Sequence, residues 1–339
     1  MANALGDIDE VVQGIPARSL KGRKVLVTGG AGFIGSWLCD SLVRAKAEVL
    51  SVDNLSSGNP RNVAHLSKSG LFELRKADIA TKKIRDAEFD YILHFASHAA
   101  PEEYQLYPVE TLLANSLGTK NVLEHAKKCN AIVVYASSSE VYGDAETFPT
   151  PETYWGKVNP VGPRSCYDEG KRFGEAMCLA YLRQHGVDVR IARIFNTYGP
   201  RMRTDGAYAR VVPRFIRQAL TGDRITVYGD GKQTRSFCYF SDTIAAILRL
   251  MLSLGTKGEV LNIGNPRETT IIELARMIKR ITGSDARMVL SQLPADDPKR
   301  RKPDVSKARN LLGWQPKIGL DDGLRRTIGW FKAQQLDES

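Results

Sequence analysis

The chain has 339 residues, 42% of them hydrophobic and 25% charged, and its 48 Lys plus Arg outweigh 38 Asp plus Glu by ten charges. That is the make-up of an ordinary globular protein with a substantial core, sized for one large α/β body or two closely joined domains. No run of about 18 apolar residues occurs, which excludes a spanning helix. The basic balance comes without stretches of Lys and Arg interleaved with stacking aromatics, so it points to a small anionic substrate and away from nucleic acid.

The first segment, 1–22, carries Asp7, Asp9 and Glu10 and no basic start followed by an apolar core. It reads as an irregular or partly helical lead-in, not a signal peptide. From Lys24 the pattern sharpens. Val25-Leu26-Val27 is a short strand ending in Thr28-Gly29-Gly30-Ala31-Gly32-Phe33-Ile34-Gly35. A helical pattern follows through Trp37, Leu38, Leu42 and Val43, then the strand Val49–Val52 ends in Asp53. Strand, glycine turn, helix, strand and acidic residue form the dinucleotide-binding order. The glycines allow a tight turn and close approach of backbone to a pyrophosphate, and the helix start aims free N–H groups at it. Asp53 is placed to accept from both ribose hydroxyls and would repel a 2′-phosphate, so NAD is expected over NADP. The expected cofactor contacts in this unit are Gly29, Gly32, Phe33, Ile34, Gly35, Asp53 and Asn54.

The alternation continues. Phe72–Leu74, Tyr91–Ala96, Ala131–Ala136 and Val189–Ile194 read as strands, with helices from about Val109 to Lys127 and around Tyr167. Continuous apolar strands separated by helices imply a parallel sheet covered on both faces, with ligands beyond the carboxyl ends of the strands. Asp78, Ile79 and Ala96 fall there. Asp78 either holds the adenine edge or is a plain strand-end carboxylate. His94, inside a strand, reads as a core histidine. After Ile194 the rhythm changes: a turn-rich exit, a loop from Arg203 to Gly206, and a helix over Val211–Leu220. Strands follow at Ile225–Tyr228 and Arg235–Tyr239, a helix over Thr243–Leu254, and a strand over Glu259–Ile263. A capping box at Thr270-Ile-Ile-Glu273 opens a helix to Ile281. A short helix over Ser306–Leu312 stops at Gly313, and a last helix runs from Leu320 to about Gln334. The expected fold is therefore α/β: a Rossmann-type doubly wound parallel sheet (mainly 23–196) with a smaller mixed α/β substrate lobe (mainly 197–339), the two interleaved.

The five cysteines, Cys39, Cys129, Cys166, Cys178 and Cys238, are scattered and form no Cys-x-x-Cys pair. They argue against a zinc site or a disulfide framework and for a reducing, cytoplasmic setting. Cys166 reads as a small buried hydrophobe.

Tyr167 and Lys171 lie four apart on a helix and so share one face. A phenol titrates near ~10, and a fixed ammonium beside it favours the phenolate. Such a pair can take a proton from a carbohydrate hydroxyl beside a nicotinamide, although the spacing alone also fits an ordinary i, i+4 polar pair on a surface helix.

Several motifs settle the choice. Thr28–Gly35, Asn115-x-x-Gly-Thr119, Ser138-Ser-Glu-Val-Tyr-Gly143, Tyr167-x-x-x-Lys171 and Arg193–Pro200 resemble the extended short-chain dehydrogenase/reductases that act on nucleotide sugars, over residues 22 to 334. Tyr154–Arg172, Tyr228–Arg235 and Asp296–Asp304 are similar to the UDP-glucuronate decarboxylase branch of that family. The resemblance implies an internal redox cycle with NAD retained. Tyr167 deprotonates the sugar 4-hydroxyl as hydride leaves C4, with Ser138 bridging the two. Lys171 holds the nicotinamide ribose and keeps the phenol acidic. The resulting β-keto acid loses CO2, C5 is protonated, and the hydride returns to give UDP-xylose. Glu140 and Arg301 are expected to set this branch apart. Glu140 would disfavour the substrate carboxylate or handle a proton through water, or simply pair with a local cation. Ser139, Asn196, Arg201, Tyr228, Gln233, Arg235 and Arg301 are the expected UDP-sugar contacts. Asn115 shapes the site from its helix.

Two stretches depart from the decarboxylase pattern. Ser97-His-Ala-Ala-Pro-Glu-Glu-Tyr104 replaces a Ser-Pro-Ala-Ser-Pro-like loop, and Arg203–Arg210 is longer and more epimerase-like. A UDP-sugar 4-epimerase is the alternative enzyme, with a 4,6-dehydratase disfavoured by Ser139-Glu140. A non-catalytic dinucleotide sensor is the alternative from another class. Relatives of this type dimerise through a four-helix interface, and the helices from Val109 and from Tyr167 are the candidates here.

Overall fold

The computed structural model describes residues 2–16, 19–82, 84, 87–204, 210–293 and 297–337. Its centre is a seven-stranded sheet made of β1 (Lys24–Thr28), β2 (Glu48–Asp53), β3 (Phe72–Lys76), β4 (Tyr91–His94), β5 (Ile132–Ser138), β6 (Val189–Ile194) and β11 (Val260–Ile263). Every pairing is parallel, in the order β11-β6-β5-β4-β1-β2-β3. Side chains alternate across a strand. Val25 and Val27 thus enter one core with Leu93 and Val134, while Leu26 enters another with Ile92, Val133 and Ile191. Both faces are apolar because both are covered. On the first lie α1 (Ala2–Gln13), α2 (Phe33–Arg44) and α8 (Phe240–Leu252); on the second lie α5 (Thr119–Cys129) and α6 (Ser165–His185).

The remaining elements crowd the carboxyl edge of the sheet. Before α5 come the short α3 (Pro101–Leu106) and α4 (Pro108–Leu113). After β6 come β7 (Thr197–Tyr198), α7 (Val211–Thr221), β8 (Ile225–Tyr228), β9 (Thr234–Ser236) and β10 (Cys238–Tyr239). Later still are β12 (Glu268–Thr270), α9 (Ile271–Thr282), β13 (Met288–Ser291), β14 (Arg300–Arg301), α10 (Ser306–Leu312) and α11 (Leu320–Asp337). Small sheets β12-β9-β14, β13-β8 and β10-β7 hold this lobe together. Because β11 pairs with β6 inside the main sheet, the lobe is interleaved with the sheet and no clean boundary falls at residue 196.

The expected capping box is present. Thr270 Oγ accepts from the Glu273 N–H at 3.2 Å, and the Glu273 carboxylate accepts from the Thr270 N–H at 3.0 Å. α10 ends at Gly313 in the left-handed region, as expected. Two expectations need correcting. The helix expected over Val109–Lys127 is α4 and α5 joined by a π turn at Ala114–Gly118. Periodicity cannot reveal a wide turn, but such turns collect at functional sites, and this one carries Asn115. The strand expected over Arg235–Tyr239 breaks at Phe237, giving β9 and β10 different partners. Of the expected loop after Arg203, residues 205–209 lie outside the described residues, as does Asp296.

The N-terminal segment is ordered onto the body. Asp7 accepts from Tyr239 Oη at 2.9 Å and pairs with Arg326, so α1 is tied to both β10 and α11.

Candidate active site

A cleft of about 1040 Å³ runs along the carboxyl ends of β1, β2, β4 and β5 and under the second lobe. One arm is the glycine turn after β1. Gly29 has φ +73°, and a Cβ there would lie 2.8 Å from the Ala96 nitrogen. A Cβ on Gly35 would meet the Gly29 carbonyl at 2.1 Å, so helix and turn pack backbone to backbone. α2 begins at Phe33 with no side-chain cap, which leaves its first N–H groups for an anion. Gly32, Phe33 and Ile34 line the same wall. Asp53, at the end of β2, is buried and accepts from the backbone N–H of Ala31 (3.0 Å) and Leu55 (2.8 Å). Burial raises its carboxyl pKa, and those two donors act against the rise. Asn54 donates to Asp78 at 3.1 Å, and Asp78, Ile79 and Ala96 line the next stretch of cleft. Bare backbone opposite an uncapped helix start, with a carboxylate at ribose distance along the chain, fits a dinucleotide.

The second arm holds the reactive groups. Tyr167 and Lys171 lie on the first turns of α6, both buried and both lining the cleft. Ser138, at the end of β5, lies beside the Tyr167 phenol and lowers its pKa. Lys171 Nζ donates to the Ala136 carbonyl at 2.9 Å and sits 5.6 Å from the centre of the Tyr167 ring. Burial pushes the Tyr167 phenol up to about 12, and the opposing pull comes first from Arg210 and then from the Ser138 hydrogen bond. Burial also brings Lys171 down to about 7. Asn115, fully buried in the π turn, donates to Ser97 Oγ (2.9 Å) and to the Thr111 carbonyl (2.8 Å) and braces the β4 loop. His94 bridges Thr28 (2.7 Å) and Thr119 (3.2 Å), and burial lowers its pKa to about 3, so it is a neutral core residue, as expected.

Beyond Ser138, the chain puts Glu140 between two cations. Its carboxylate accepts from Arg164 at 2.7 Å and pairs with Arg301. Burial alone would raise this acid, but Arg301 and Arg164 bring it down to about 2. The two guanidiniums thus favour the anion, and the pairing with local cations weighed for Glu140 is present. Of the basic run Lys299–Lys302, only Arg301 lines the cleft; Arg300 and Lys302 pair with Glu268.

The expected substrate contacts Ser139, Asn196, Tyr228, Gln233 and Arg235 line the far part of the cleft. Gln233 donates to the Tyr228 carbonyl at 2.7 Å, and Arg235 pairs with Asp297 at 2.8 Å. Arg201 is a correction. It borders the cleft, but its guanidinium pairs with buried Asp40 at 2.6 Å and lies 3.5 Å over the Trp37 ring. A cation already paired and stacked supports the back of α2 and has little left for a diphosphate.

The profile of the NAD-dependent epimerase/dehydratase family matches residues 25–264. The chain belongs to that family. It is 48% identical over 312 residues to UDP-glucuronic acid decarboxylase 1 of Xenopus tropicalis, which spans 92% of this chain and 73% of the relative. It is likewise 48% identical over 302 residues to UDP-glucuronic acid decarboxylase 6 of Arabidopsis thaliana, covering 89% of this chain and 86% of the relative. Among solved structures, the UDP-glucuronic acid 4-epimerase of Bacillus cereus, in complex with UDP-glucuronic acid and NAD, aligns with TM-score 0.82 at 29% identity. That alignment covers 92% of this chain and 99% of the other. The UDP-glucose 4-epimerase of Thermotoga maritima with UDP-glucose aligns at 0.83 and 32% identity, covering 92% and 99%.

For this member of the epimerase/dehydratase family, sequence reading missed Arg164, Tyr104, Arg210 and Asp168. Arg164 stands three residues before Tyr167 within a motif already noticed, so position was the available signal. Asp168 is buried beside Arg164, 3.9 Å away. Burial and then the Glu140 charge raise its carboxyl to about 7, against Arg164 and Arg301. The raised value means that protonated Asp168 favours the fold below its unfolded range and that this contribution is lost as pH rises through about 7. Asp168→Asn is thus expected to raise the unfolding temperature more at pH above that value than below it. Thermal scans at two pH values check this, and an equal shift at both would contradict it.

Proposed function

We propose that the protein is a UDP-glucuronate decarboxylase, converting UDP-glucuronate to UDP-xylose with a retained NAD. The observation that carries this reading is the 48% identity to proteins named UDP-glucuronic acid decarboxylase across about nine-tenths of the chain, against 32% and 29% for the two solved epimerases named above. The site supports it. Tyr167, once its phenol has given up its own proton, takes the proton of the sugar 4-hydroxyl as the phenolate, a form that the Arg210 charge favours, and Ser138 beside it passes that proton across and fixes the hydroxyl. Bound NAD supplies reversible acceptance of hydride from C4. The product of C4 oxidation is a β-keto acid, whose C5–C6 bond breaks with its electrons flowing into the new carbonyl. Glu140, kept anionic by Arg164 and Arg301, disfavours a second carboxylate beside it and so favours departure of the neutral gas.

A 4-epimerase acting on the same carboxylated sugar is the second reading, favoured by the Ser97–Tyr104 loop, where His98, Glu102 and Glu103 give the cleft wall a different charge and shape from the decarboxylase pattern. Incubating the purified protein with UDP-glucuronate and weighing the product separates the two. Loss of the mass of CO2 is expected, and an isobaric product would overturn the proposal. A chain that binds the nucleotide sugar without turnover would be a sensor.

The dimer belongs to the same proposal. Leu106 at the end of α3, Val109 and Leu112 on α4 and Leu117 in the π turn, with Phe173 on α6, each expose 43% or more of their surface. An apolar face of this kind suits a second copy of the chain. Leu112→Glu is expected to convert a dimer to monomer in sedimentation velocity, and a monomeric wild type would contradict the assignment. The five unpaired cysteines fit work in a reducing compartment such as the cytoplasm.

A further inference from the structure

We infer that the Tyr104 hydroxyl is a substrate contact that recognises the C6 carboxylate of the sugar, an assignment that rests on the decarboxylase reading above. Tyr104 lies on α3, in the loop that departs from the family pattern. It is 1% exposed, yet it lines the cleft. Its ring lies parallel to that of Tyr167, with centroids 5.0 Å apart and planes 7° from parallel. The Arg164 guanidinium sits 5.9 Å from the ring centre, and Cys166 Sγ donates to the Tyr104 carbonyl at 3.2 Å. The residue is thus held rigidly from three sides.

Its hydroxyl is held for no partner of its own. Tyr104 Oη is buried and makes no hydrogen bond among the described residues. An unmade hydrogen bond at a buried phenol is costly and uncommon, so such a group calls for an explanation. A second donor without a partner among the described residues borders the cleft: Arg301 Nε, on a residue only 8% exposed. Two preorganised donors beside the Tyr167 ring and the Glu140 pair suit an acceptor group of the ligand. The sugar carboxylate is the acceptor that UDP-glucuronate has and UDP-xylose lacks.

The choice of a phenol also fits the chemistry. Burial, and then the nearby Glu140 charge, hold its pKa well above the ordinary value, so it stays a neutral donor. A neutral donor orients the carboxylate without the strong attraction that a further cation would exert on a group about to leave as CO2.

The test is binding, measured by calorimetry in the Tyr167→Phe background, which keeps the ring stack and blocks turnover. Adding Tyr104→Phe is expected to weaken UDP-glucuronate binding by about 10- to 100-fold, the range for a hydrogen bond to a charged group. UDP-xylose binding is expected to stay unchanged, and the unfolding temperature of the ligand-free protein to stay level or rise, because an unpaired hydroxyl has been removed. Unchanged UDP-glucuronate affinity, an equal loss for UDP-xylose, or a lower unfolding temperature would each overturn the assignment. If these shifts are seen while the wild type releases no CO2, the carboxylate contact stands and the reaction assigned above is wrong.

Discussion

Tyr167→Phe is expected to lower turnover of UDP-glucuronate by about 10³- to 10⁴-fold, toward the upper end of what a positioned acid–base group contributes. The phenylalanine keeps the parallel contact with Tyr104 and the buried ring, so the fold and the cofactor cleft should be untouched. What disappears is the phenol oxygen beside Ser138 that takes a proton from a sugar hydroxyl. Without it no C4 oxidation begins. Mixing the variant with substrate should therefore give neither CO2 nor the absorbance of reduced nicotinamide, while bound NAD and unfolding temperature match the wild type. Appreciable reduced nicotinamide in this variant would mean that another group is the base. The raised phenol pKa sharpens the prediction, because a neutral phenol in the resting site can be replaced by Phe without disturbing a charge.

Glu140→Gln should act later in the cycle. C4 oxidation proceeds, CO2 release slows by about one to two orders of magnitude, and the 4-keto uronate and reduced nicotinamide accumulate. The cause is electrostatic. Removing the anion frees Arg301 and Arg164 to attract the substrate carboxylate, which holds in place the group that has to leave. The same change leaves two buried guanidiniums short of their counter-charge, a loss of about 3–5 kcal/mol when one member of a buried pair is removed, less whatever Gln recovers by hydrogen bonding. Glu140 has a depressed pKa in the fold. Its stabilising contribution is present above the ordinary value of 4.5 and is lost as pH falls toward about 2. The variant should therefore show a shallower acid limb in a stability titration than the wild type. CO2 release at the wild-type rate would refute the role assigned here.

What was legible in the sequence was what is local. The glycine turn, Asp53 and the Tyr167–Lys171 pair each sit within one or two elements, so spacing alone reports their geometry. The parallel sheet was legible because strands buried on both faces read as unbroken apolar runs. The partners of Glu140 were harder: Arg164 stands 24 residues away and Arg301 stands 161 away, and only folding brings them to one carboxylate. Arg201 shows the opposite failure. Its place after a turn-rich strand exit suggested a phosphate contact, but Asp40, from a helix 161 residues earlier, had the prior claim. Charge balance inside the site was also beyond reach. The ammonium–phenol argument is sound for groups in contact, but burial outweighs it here for both Tyr167 and Lys171. For Tyr104 the sequence offered only the unusual loop that ends there, since an unmade hydrogen bond exists only in three dimensions.

The central claim is a closed redox cycle around decarboxylation, and turnover of UDP-glucuronate in deuterated water tests it most directly. The account predicts a UDP-pentose carrying one carbon-bound deuterium at C5, where CO2 left and solvent-derived protonation followed, and none at C4, where the original hydride returns. Deuterium at C4, or a product that keeps its carboxylate, would contradict it.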